Sequence, residues 1–228
     1  MKYRIDDLMI NNLKLKQNPE GFCFGIDAVL LANFVKDKDK KILVDLCTGN
    51  GVIPVLLTAK INVEKIIGVE IQKEVAELAK ENVILNSLEN RVEILNDDLI
   101  NMPEVLGKST VDIVTCNPPY RTKGCGVVNE QDTKAIARHE ILCDLEGVIK
   151  TSAELLKPLG KFYMVHRPDR LCDILCLMRE NKIEPKTLQF IEPEHNKQPE
   201  FVLIEGIYGG KRHLTVKETI TVGDIKTN

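Results

Sequence analysis

The fold of this 228-residue chain is decided by the stretch Lys41-Ile42-Leu43-Val44-Asp45-Leu46-Cys47-Thr48-Gly49-Asn50-Gly51. Its first four residues are typical of a β-strand, and its two glycines indicate a tight turn. The apolar run that follows, Val52 to Leu57, predicts a helix. A strand, a glycine turn and a helix form the first βα unit of a doubly wound α/β fold, in which the glycines let a ligand approach the backbone closely.

The glycine turn differs from two other glycine motifs that bind ligands. Gly49 and Gly51 fit the start of a dinucleotide fingerprint, but Pro54 stands where that motif has glycine or alanine. A phosphate-binding P-loop is also excluded, because no Gly-Lys-Ser or Gly-Lys-Thr follows. Tight βα turns often carry glycine for structural reasons alone, so the ligand has to be inferred from the strands that follow.

The second predicted strand, Lys65 to Val69, ends in an acid. Glu70 stands roughly 20 residues after Gly51. In nucleoside-binding α/β folds, an acid at this position accepts hydrogen bonds from the ribose hydroxyls. The alternative is a cap for the helix predicted over Ile71 to Asn86. We favour ribose binding because of the spacing.

The third predicted strand, Arg91 to Leu95, is followed by Asn96-Asp97-Asp98-Leu99. A carboxylate at this point can accept a hydrogen bond from an adenine amino group. We favour Asp98 for that role because it directly precedes the apolar Leu99. Asp97 is then predicted to be a solvated loop acid.

The fourth motif is Asn117-Pro118-Pro119-Tyr120, directly after the strand-like run Val111 to Cys116. This turn suits the methylation of a planar amino nitrogen, whose lone pair is delocalised into a π-system. The Asn117 side-chain oxygen and the Pro118 carbonyl can accept hydrogen bonds from the amino group and make its nitrogen more reactive. The prolines keep the turn rigid, and Tyr120 offers a flat face for a base. The alternative, a plain proline-rich turn, is disfavoured by the glycine turn upstream.

With these four motifs in order, the chain resembles the class I S-adenosylmethionine-dependent methyltransferases. The first motif departs from theirs at Cys47, where glycine is common, and the fourth motif resembles that of amino and amide nitrogen methyltransferases. The whole chain is similar to the bacterial family of tRNA1(Val) adenine N6-methyltransferases, which modify an adenine beside the anticodon. The additional matches are Gln17, Gly21 to Ala32, Arg138-His139-Glu140 and His166 to Leu171.

The resemblance implies a Rossmann-like, doubly wound α/β sheet of seven strands, mostly parallel with an antiparallel C-terminal strand. Residues 1–36 are expected to form a hairpin around Asn11-Asn12 and a helix from Ala28 to about Phe34, capped by Asp27, that together cover the cofactor. An equally weighted alternative is a helix that only packs on the sheet edge. Residues 37–228 are expected to form the methyltransferase domain.

The resemblance also implies the ligands and the site. S-adenosylmethionine is the expected methyl donor, with S-adenosylhomocysteine as product and no metal. The residues expected to bind it are Phe24, Asp27, Asp45, Cys47, Thr48, Gly49, Asn50, Gly51, Glu70, Ile71, Asp97, Asp98, Leu99 and Asn117. The expected catalytic residues are Asn117, Pro118, Pro119 and Tyr120. The residues expected to contact the substrate are Arg121, Lys123, Arg138 and His139. The polar segment from Arg121 to Ala135 is expected to be a mobile flap over the target base.

Charge and composition place limits on the partners. The formal net charge of −3 and the pI near 5.9 give no overall nucleic-acid signature, so tRNA binding requires a local basic patch. The candidates are Lys14, Lys16, Arg121, Lys123, Arg167, Arg170, Lys211 and Arg212.

No stretch is long and apolar enough to predict a membrane span, and Met1 to Asp7 is too polar for a signal peptide. Seven cysteines without a C-x-x-C pair indicate a reducing cytoplasm, without a disulfide framework or a zinc site. We expect a monomer or a weak homodimer.

A DNA adenine methyltransferase would usually add a target-recognition domain, for which this chain has no room. Three other functions compete with the methylation of tRNA. Protein-glutamine N5-methyltransferases carry a similar turn, but they also carry a helical domain before the first motif, and only 44 residues precede Asp45 here. An amino group of ribosomal RNA is a second possible target. A non-catalytic RNA-binding module with the same fold is the third, and it has no need of the turn at Asn117.

Overall fold

The structure is a computed structural model that describes residues 3–19, 23–37, 40–119 and 145–224. The predictions for Tyr120, Arg121, Lys123, Arg138 and His139 lie outside these residues, as does the predicted flap. The predicted catalytic turn is therefore described from its asparagine to its second proline.

Eleven strands occur in the described residues. In chain order they are β1 (Arg4–Asp7), β2 (Lys14–Gln17), β3 (Lys40–Leu46), β4 (Val63–Glu70), β5 (Val92–Asn96), β6 (Val111–Cys116), β7 (Leu156–His166), β8 (Ile183–Glu192), β9 (Phe201–Tyr208), β10 (Thr215–Val216) and β11 (Ile220–Thr221). The strands β1 and β2 form an antiparallel hairpin, and the other nine strands form one sheet.

The large sheet is built on seven long strands in the order β5-β4-β3-β6-β7-β9-β8. Strand β9 runs antiparallel to β7 and β8, whereas β5, β4, β3, β6 and β7 are parallel to one another. The predicted doubly wound sheet with an antiparallel C-terminal strand is therefore confirmed. The two-residue strands β10 and β11 pair with β8. The sequence does not predict them, because two residues carry no hydrophobic period.

Helices cover both faces of the sheet. Those described are α1 (Ile26–Phe34), α2 (Val52–Lys60), α3 (Lys73–Leu85), α4 (Met102–Val105), α5 (Leu145–Leu155) and α6 (Leu171–Glu180). Helices α1, α2 and α3 pack on the face that carries Leu43 and Ile66, and the other three pack on the face that carries Val44 and Ile67. Successive residues of a strand point to opposite faces, so each strand contributes to two separate cores.

The N-terminal segment forms the expected hairpin. The Leu8 N–H donates to the Leu13 carbonyl at 2.9 Å, and Asn11 and Asn12 both adopt positive φ angles, of 47° and 57°. Asparagine tolerates this left-handed conformation better than most residues. The pair Asn11-Asn12 therefore makes the tight turn that the sequence predicts.

The start of the following helix differs from the prediction. Helix α1 begins at Ile26, and Gly25 is its N-cap residue, so Asp27 lies inside the first turn and does not cap the helix. The Asp27 carboxylate instead accepts from the side chain of Asn117 and from the N–H of the next residue, Ala28.

Candidate active site

The predicted site residues lie where the parallel strands end. The last residues of β3 to β7 are Leu46, Glu70, Asn96, Cys116 and His166. Because these strands are parallel, their carboxyl ends meet at one edge of the sheet, named here the carboxyl edge. The glycine turn, Glu70, the two aspartates and the predicted catalytic turn are thus neighbours, at the edge where open α/β sheets bind ligands.

The glycine turn is held by backbone hydrogen bonds. The Thr48 N–H donates to the Val69 carbonyl and the Gly51 N–H donates to the Thr48 carbonyl, both at 3.0 Å. Cys47, Gly49 and Gly51 all have positive φ angles, of 58°, 58° and 82°. Cys47 therefore carries a side chain in a conformation that glycine adopts most easily.

Asp45, on β3, holds this turn through a hydrogen bond from the Thr48 hydroxyl. Its side chain is fully buried and accepts hydrogen bonds from the hydroxyls of Thr48 and Thr115, both at 2.6 Å. Burial raises the pKa of this carboxyl to about 7, and the two hydroxyls oppose the rise. Since each oxygen faces a protein hydroxyl, we assign Asp45 to the support of the turn. Its direct contact with a cofactor stays a prediction.

Glu70 joins the glycine turn to the start of α3. Its buried carboxylate accepts from the Gly49 N–H at 2.9 Å and from the Gln72 N–H at 3.0 Å. Glu70 accepts from the backbone of Gln72, but it is not the N-cap residue of α3, because Gln72 holds that position. Gln72 Nε2 also donates to Glu70 Oε1, at 3.5 Å. A carboxylate has about four acceptor positions, so capacity remains for a ribose hydroxyl.

The side chain of Asn117 is only partly paired. Its Nδ2 donates to Asp27 Oδ2 at 3.0 Å. Its Oδ1 is buried and accepts no hydrogen bond in the described part of the chain. Buried polar atoms are nearly always hydrogen-bonded, so an unpaired acceptor at the carboxyl edge indicates a place for a ligand donor. Pro118 behind it is buried and Pro119 is half-buried.

Asn50, in the glycine turn, has a second unpaired side-chain amide. The side chain is fully buried, and within the described residues neither its oxygen nor its nitrogen has a hydrogen-bond partner. Its backbone carbonyl accepts from Asn82 Nδ2 at 2.9 Å, which fixes this part of the glycine turn. Two unpaired amides, of Asn50 and Asn117, therefore accompany the glycine turn and Glu70.

A family model described as "Methyltransferase small domain" matches residues 24–175, which contain all four motifs. The chain belongs to the methyltransferase small domain family. This bears out the resemblance to methyltransferases that the sequence indicates.

Individual relatives agree with the family. The tRNA1(Val) (adenine(37)-N6)-methyltransferase of Porphyromonas gingivalis is 26% identical over 187 residues, which cover 79% of this chain and 72% of that protein. The release factor glutamine methyltransferase of Clostridium botulinum is 30% identical, but over 55% of this chain and 47% of that protein. Among solved structures, a predicted O-methyltransferase from Agrobacterium tumefaciens has a TM-score of 0.69 with 20% identity and covers 86% of each chain. That similarity supports the fold.

The two aspartates of this methyltransferase after β5 differ in their contacts. Asp98 Oδ1 accepts from the Ile100 N–H at 3.1 Å and caps a short 3-10 helix, Leu99–Asn101. Asp97 is half-buried and lies in the loop after β5, as the sequence predicts. Its Oδ1 accepts from the Asp98 N–H at 2.7 Å and from Asn101 Nδ2 at 2.8 Å, because the chain turns tightly here. The half-buried Asp98 keeps one oxygen, Oδ2, outside that cap.

Two buried amides hold the N-terminal segment of the methyltransferase. Gln17 accepts from the Phe24 N–H at 3.1 Å and donates to Asp6, which places the half-buried Phe24 against the core. Asn82 on α3 bonds the backbone of Lys16. The segment is thus attached on both sides, and Asp27 reaches Asn117 from it. The segment therefore contacts the predicted catalytic turn through Asp27. Its covering of the cofactor stays a prediction.

Sequence reasoning missed two residues that shape the site, Thr115 and Asn82. Thr115 holds Asp45, and Asn82 holds both the glycine turn and β2. A signal exists for each, since both are polar residues on otherwise apolar, buried surfaces of β6 and α3. Buried polar side chains are expected to have specific partners, but the sequence does not say which.

The candidate basic residues fall at different places. Arg167 and Arg170 directly follow β7 and lie at the carboxyl edge. Lys211 and Arg212 follow the end of the antiparallel β9, which pairs with the start of β8, so they lie at the opposite edge. Lys14 and Lys16 lie on β2. Among the described helices, none has the length and apolar character that a membrane crossing requires.

Proposed function

We propose that this methyltransferase transfers a methyl group from S-adenosylmethionine to the N6 amino group of an adenine in tRNA, beside the anticodon. The observation that carries the proposal is the side chain of Asn117. Its donor nitrogen is bound to Asp27, whereas its buried oxygen has no partner in the described residues. A lone acceptor at this point suits a substrate that presents an NH2 group.

The residues at the carboxyl edge fit an adenosine cofactor. Glu70 and Asp98 offer acceptors for ribose hydroxyls and for an adenine amino group. The glycine turn brings the backbone close to a ligand, and the unpaired Asn50 amide is a polar group that a ligand can satisfy. When bound, S-adenosylmethionine supplies an electrophilic methyl group on a positively charged sulfur.

Asn117 and Pro118 prepare the amino group. The Asn117 oxygen and the Pro118 carbonyl each accept one N–H of the substrate, which draws the nitrogen lone pair out of the π-system and towards the incoming methyl. No side chain with a shifted pKa is required, because the nitrogen loses its proton readily once it is alkylated. Correct positioning therefore supplies most of the rate.

The rigidity of the turn supports this positioning. The ring of each proline fixes its own φ angle, and the residue before a proline is restricted to extended conformations. Asn117 is therefore constrained by its own backbone and by Asp27. An adenine has to leave its stack to reach this edge, as in other enzymes that modify bases.

The choice of tRNA is supported by relatives and by charge. Relatives that match along 79% of this chain, from Porphyromonas gingivalis and Phocaeicola vulgatus, are tRNA1(Val) (adenine(37)-N6)-methyltransferases. Arg167 and Arg170 supply positive charge at the carboxyl edge, as contacts with RNA phosphates require. We further propose that the protein acts in the cytoplasm as a monomer or a weak homodimer.

The second candidate is the methylation of a glutamine side chain in a release factor. It is favoured by the similarity to the glutamine methyltransferase of Clostridium botulinum, and a carboxamide also presents an NH2 group. That similarity covers 55% of this chain, whereas the similarity to the tRNA methyltransferase of Porphyromonas gingivalis covers 79%. We therefore rank the tRNA substrate first.

Mass spectrometry of modified nucleosides tests the proposal. The protein is incubated with S-adenosylmethionine and transcribed tRNA, which carries no modification, and the RNA is then digested to nucleosides. We expect N6-methyladenosine with the natural protein and none with Asn117→Ala. Because Asn117 activates the substrate, Asn117→Ala should lower kcat far more than it weakens cofactor binding, as measured by calorimetry.

Parallel reactions separate the alternatives. Methylation of ribosomal RNA or of a release factor, with no product from tRNA, would contradict the proposed substrate and keep the reaction type. Binding of S-adenosylmethionine without methylation of any of these would support a non-catalytic binding module instead. Equal losses of rate and of cofactor affinity in Asn117→Ala would contradict the role given to that residue.

A further inference from the structure

The contact between Asp27 and Asn117 joins the N-terminal helix to the predicted catalytic turn. The two residues are far apart in the chain, and their side chains meet at 3.0 Å between Oδ2 and Nδ2. The Asp27 side chain is buried, and its other oxygen accepts from the Ala28 N–H at 3.0 Å. The carboxylate is therefore held in a fixed position at the start of α1.

The contact decides which way the amide of Asn117 points. A carboxamide has a donor end and an acceptor end of almost equal size, and a half-turn about its last bond exchanges them. A carboxylate only accepts, so the donor end has to face Asp27. The exchanged orientation would place two oxygens against each other. The loss of a hydrogen bond to a charged group gives a preference of roughly 10- to 100-fold for the observed orientation.

The acceptor end of the amide consequently faces away from Asp27. This is the Asn117 Oδ1 that is buried and has no partner in the described part of the chain. In the exchanged orientation, an NH2 group of Asn117 would meet the NH2 group of the substrate, and neither can accept from the other. Only the observed orientation can bind and activate an amino nitrogen.

We propose that Asp27 is a positioning residue that holds the Asn117 amide with its acceptor towards the substrate. This inference rests on the proposed function, the methylation of an amino nitrogen. It gives Asp27 a role in the rate of the reaction that the sequence does not predict, and the predicted cofactor contact of Asp27 stays a prediction. It also makes the N-terminal helix a part of the catalytic apparatus.

An exchange of the two side chains tests the inference. In Asp27→Asn the neighbour of Asn117 can donate as well as accept, so both amide orientations become accessible and kcat should fall roughly 10- to 100-fold. In Asn117→Asp two carboxylates oppose each other, and kcat should fall at least as far. In the double variant Asp27→Asn/Asn117→Asp, the amide on α1 donates to one oxygen of the carboxylate in the turn, and the other oxygen accepts from the substrate. Its kcat should exceed that of both single variants.

The readouts separate positioning from cofactor binding and from folding. The dissociation constant for S-adenosylmethionine, from calorimetry, should change less than threefold in Asp27→Asn, and thermal unfolding shows whether each variant is folded. Glu64→Gln is the matched control, since it removes the same charge from an exposed residue at the opposite edge of the sheet. A double variant no faster than the slower single variant would overturn the inference, as would a normal kcat with weakened cofactor binding in Asp27→Asn.

Two other outcomes are possible: the double variant does not fold, or the natural protein does not methylate an amino group. If the double variant does not fold, Asp27→Ala takes its place, and a normal kcat in that variant would overturn the inference. If the natural protein methylates no amino group in any substrate, the proposed function fails, and the inference fails with it for that separate reason. The Asp27 variants are therefore compared only after the natural protein has been shown to methylate an amino group, so the two failures are told apart.

Discussion

Asn82 on α3 exchanges two hydrogen bonds with the backbone of Lys16 on β2. The Lys16 N–H donates to Asn82 Oδ1 at 2.6 Å, and Asn82 Nδ2 donates to the Lys16 carbonyl at 3.0 Å. Asn86 bonds the backbone of Lys14 in the same way, at 2.8 and 2.7 Å. Residues four apart share a helix face, and residues two apart share a strand side. Each asparagine amide therefore binds both the N–H and the carbonyl of one residue of β2, as a residue of a neighbouring strand would.

Asn82→Ala should weaken both the hairpin and the glycine turn. The substitution leaves the partly buried peptide groups of Lys16 and the buried Asn50 carbonyl without their partner, which costs about 2–4 kcal/mol of unfolding free energy. Asn86→Ala is the matched control, and it should cost about 1 kcal/mol, since water can replace its half-buried amide. Urea denaturation measures both. Equal costs would show that the bond to Asn50 adds nothing.

The sequence predicts the sheet well because each strand carries its own signal. The apolar runs that end at Glu70 and Cys116, with a turn or an acid behind them, fix both the strands and the edge at which they end. The contact between Asp27 and Asn117 carries no such signal, because it depends on how two distant segments pack. The role of Asn82 is hidden for the same reason. Local pattern predicts elements, whereas side-chain partners follow from the tertiary structure.

Gly51→Ala should destabilise the protein by about 2–3 kcal/mol, because strain and crowding act together. The φ angle of Gly51 is +82°, and an added Cβ would lie 3.3 Å from Ala79 Cβ. Two controls separate the causes. Gly209→Ala has a φ angle of +69° with nothing nearby, so it should cost only about 1 kcal/mol.

The second glycine control has neither strain nor crowding. Gly147 lies in α5 and an added Cβ would meet nothing within 4 Å, so Gly147→Ala should stabilise the protein by about 0.5 kcal/mol. Thermal and chemical unfolding give all three values. A cost for Gly51→Ala equal to that for Gly209→Ala would mean that Ala79 moves aside without a penalty.

Asp45 should make the protein less stable as the pH rises from about 4 to 7. Its pKa in the folded state is raised to about 7 by burial, from an ordinary value of 3.8. Between these values the folded protein binds a proton that the unfolded chain has lost, so unfolding is favoured as the pH increases, by at most about 1.4 kcal/mol per pH unit. Above about pH 7 both states are ionised and the effect is constant.

The variant Asp45→Asn isolates this contribution. Its amide can bond to Thr48 and Thr115, whose hydroxyls both donate and accept. The unfolding free energy of the variant minus that of the natural protein should increase between pH 4 and 7 and level off above. Parallel curves for the two proteins would contradict a raised pKa at Asp45. The difference cancels the contributions of all other carboxyl groups.

Binding of tRNA should depend on the carboxyl edge and not on the opposite edge. Arg167 lies over the Phe201 ring, at 5.6 Å, and pairs with Glu200, so its guanidinium is held at this edge. The double variant Arg167→Gln/Arg170→Gln should weaken tRNA binding several-fold and reduce the dependence of log Kd on log salt by about 1 to 2. The matched double variant Lys211→Gln/Arg212→Gln removes the same charge and should change neither. Filter binding at several salt concentrations measures both, and equal effects would mean that tRNA also reaches the far edge of the sheet.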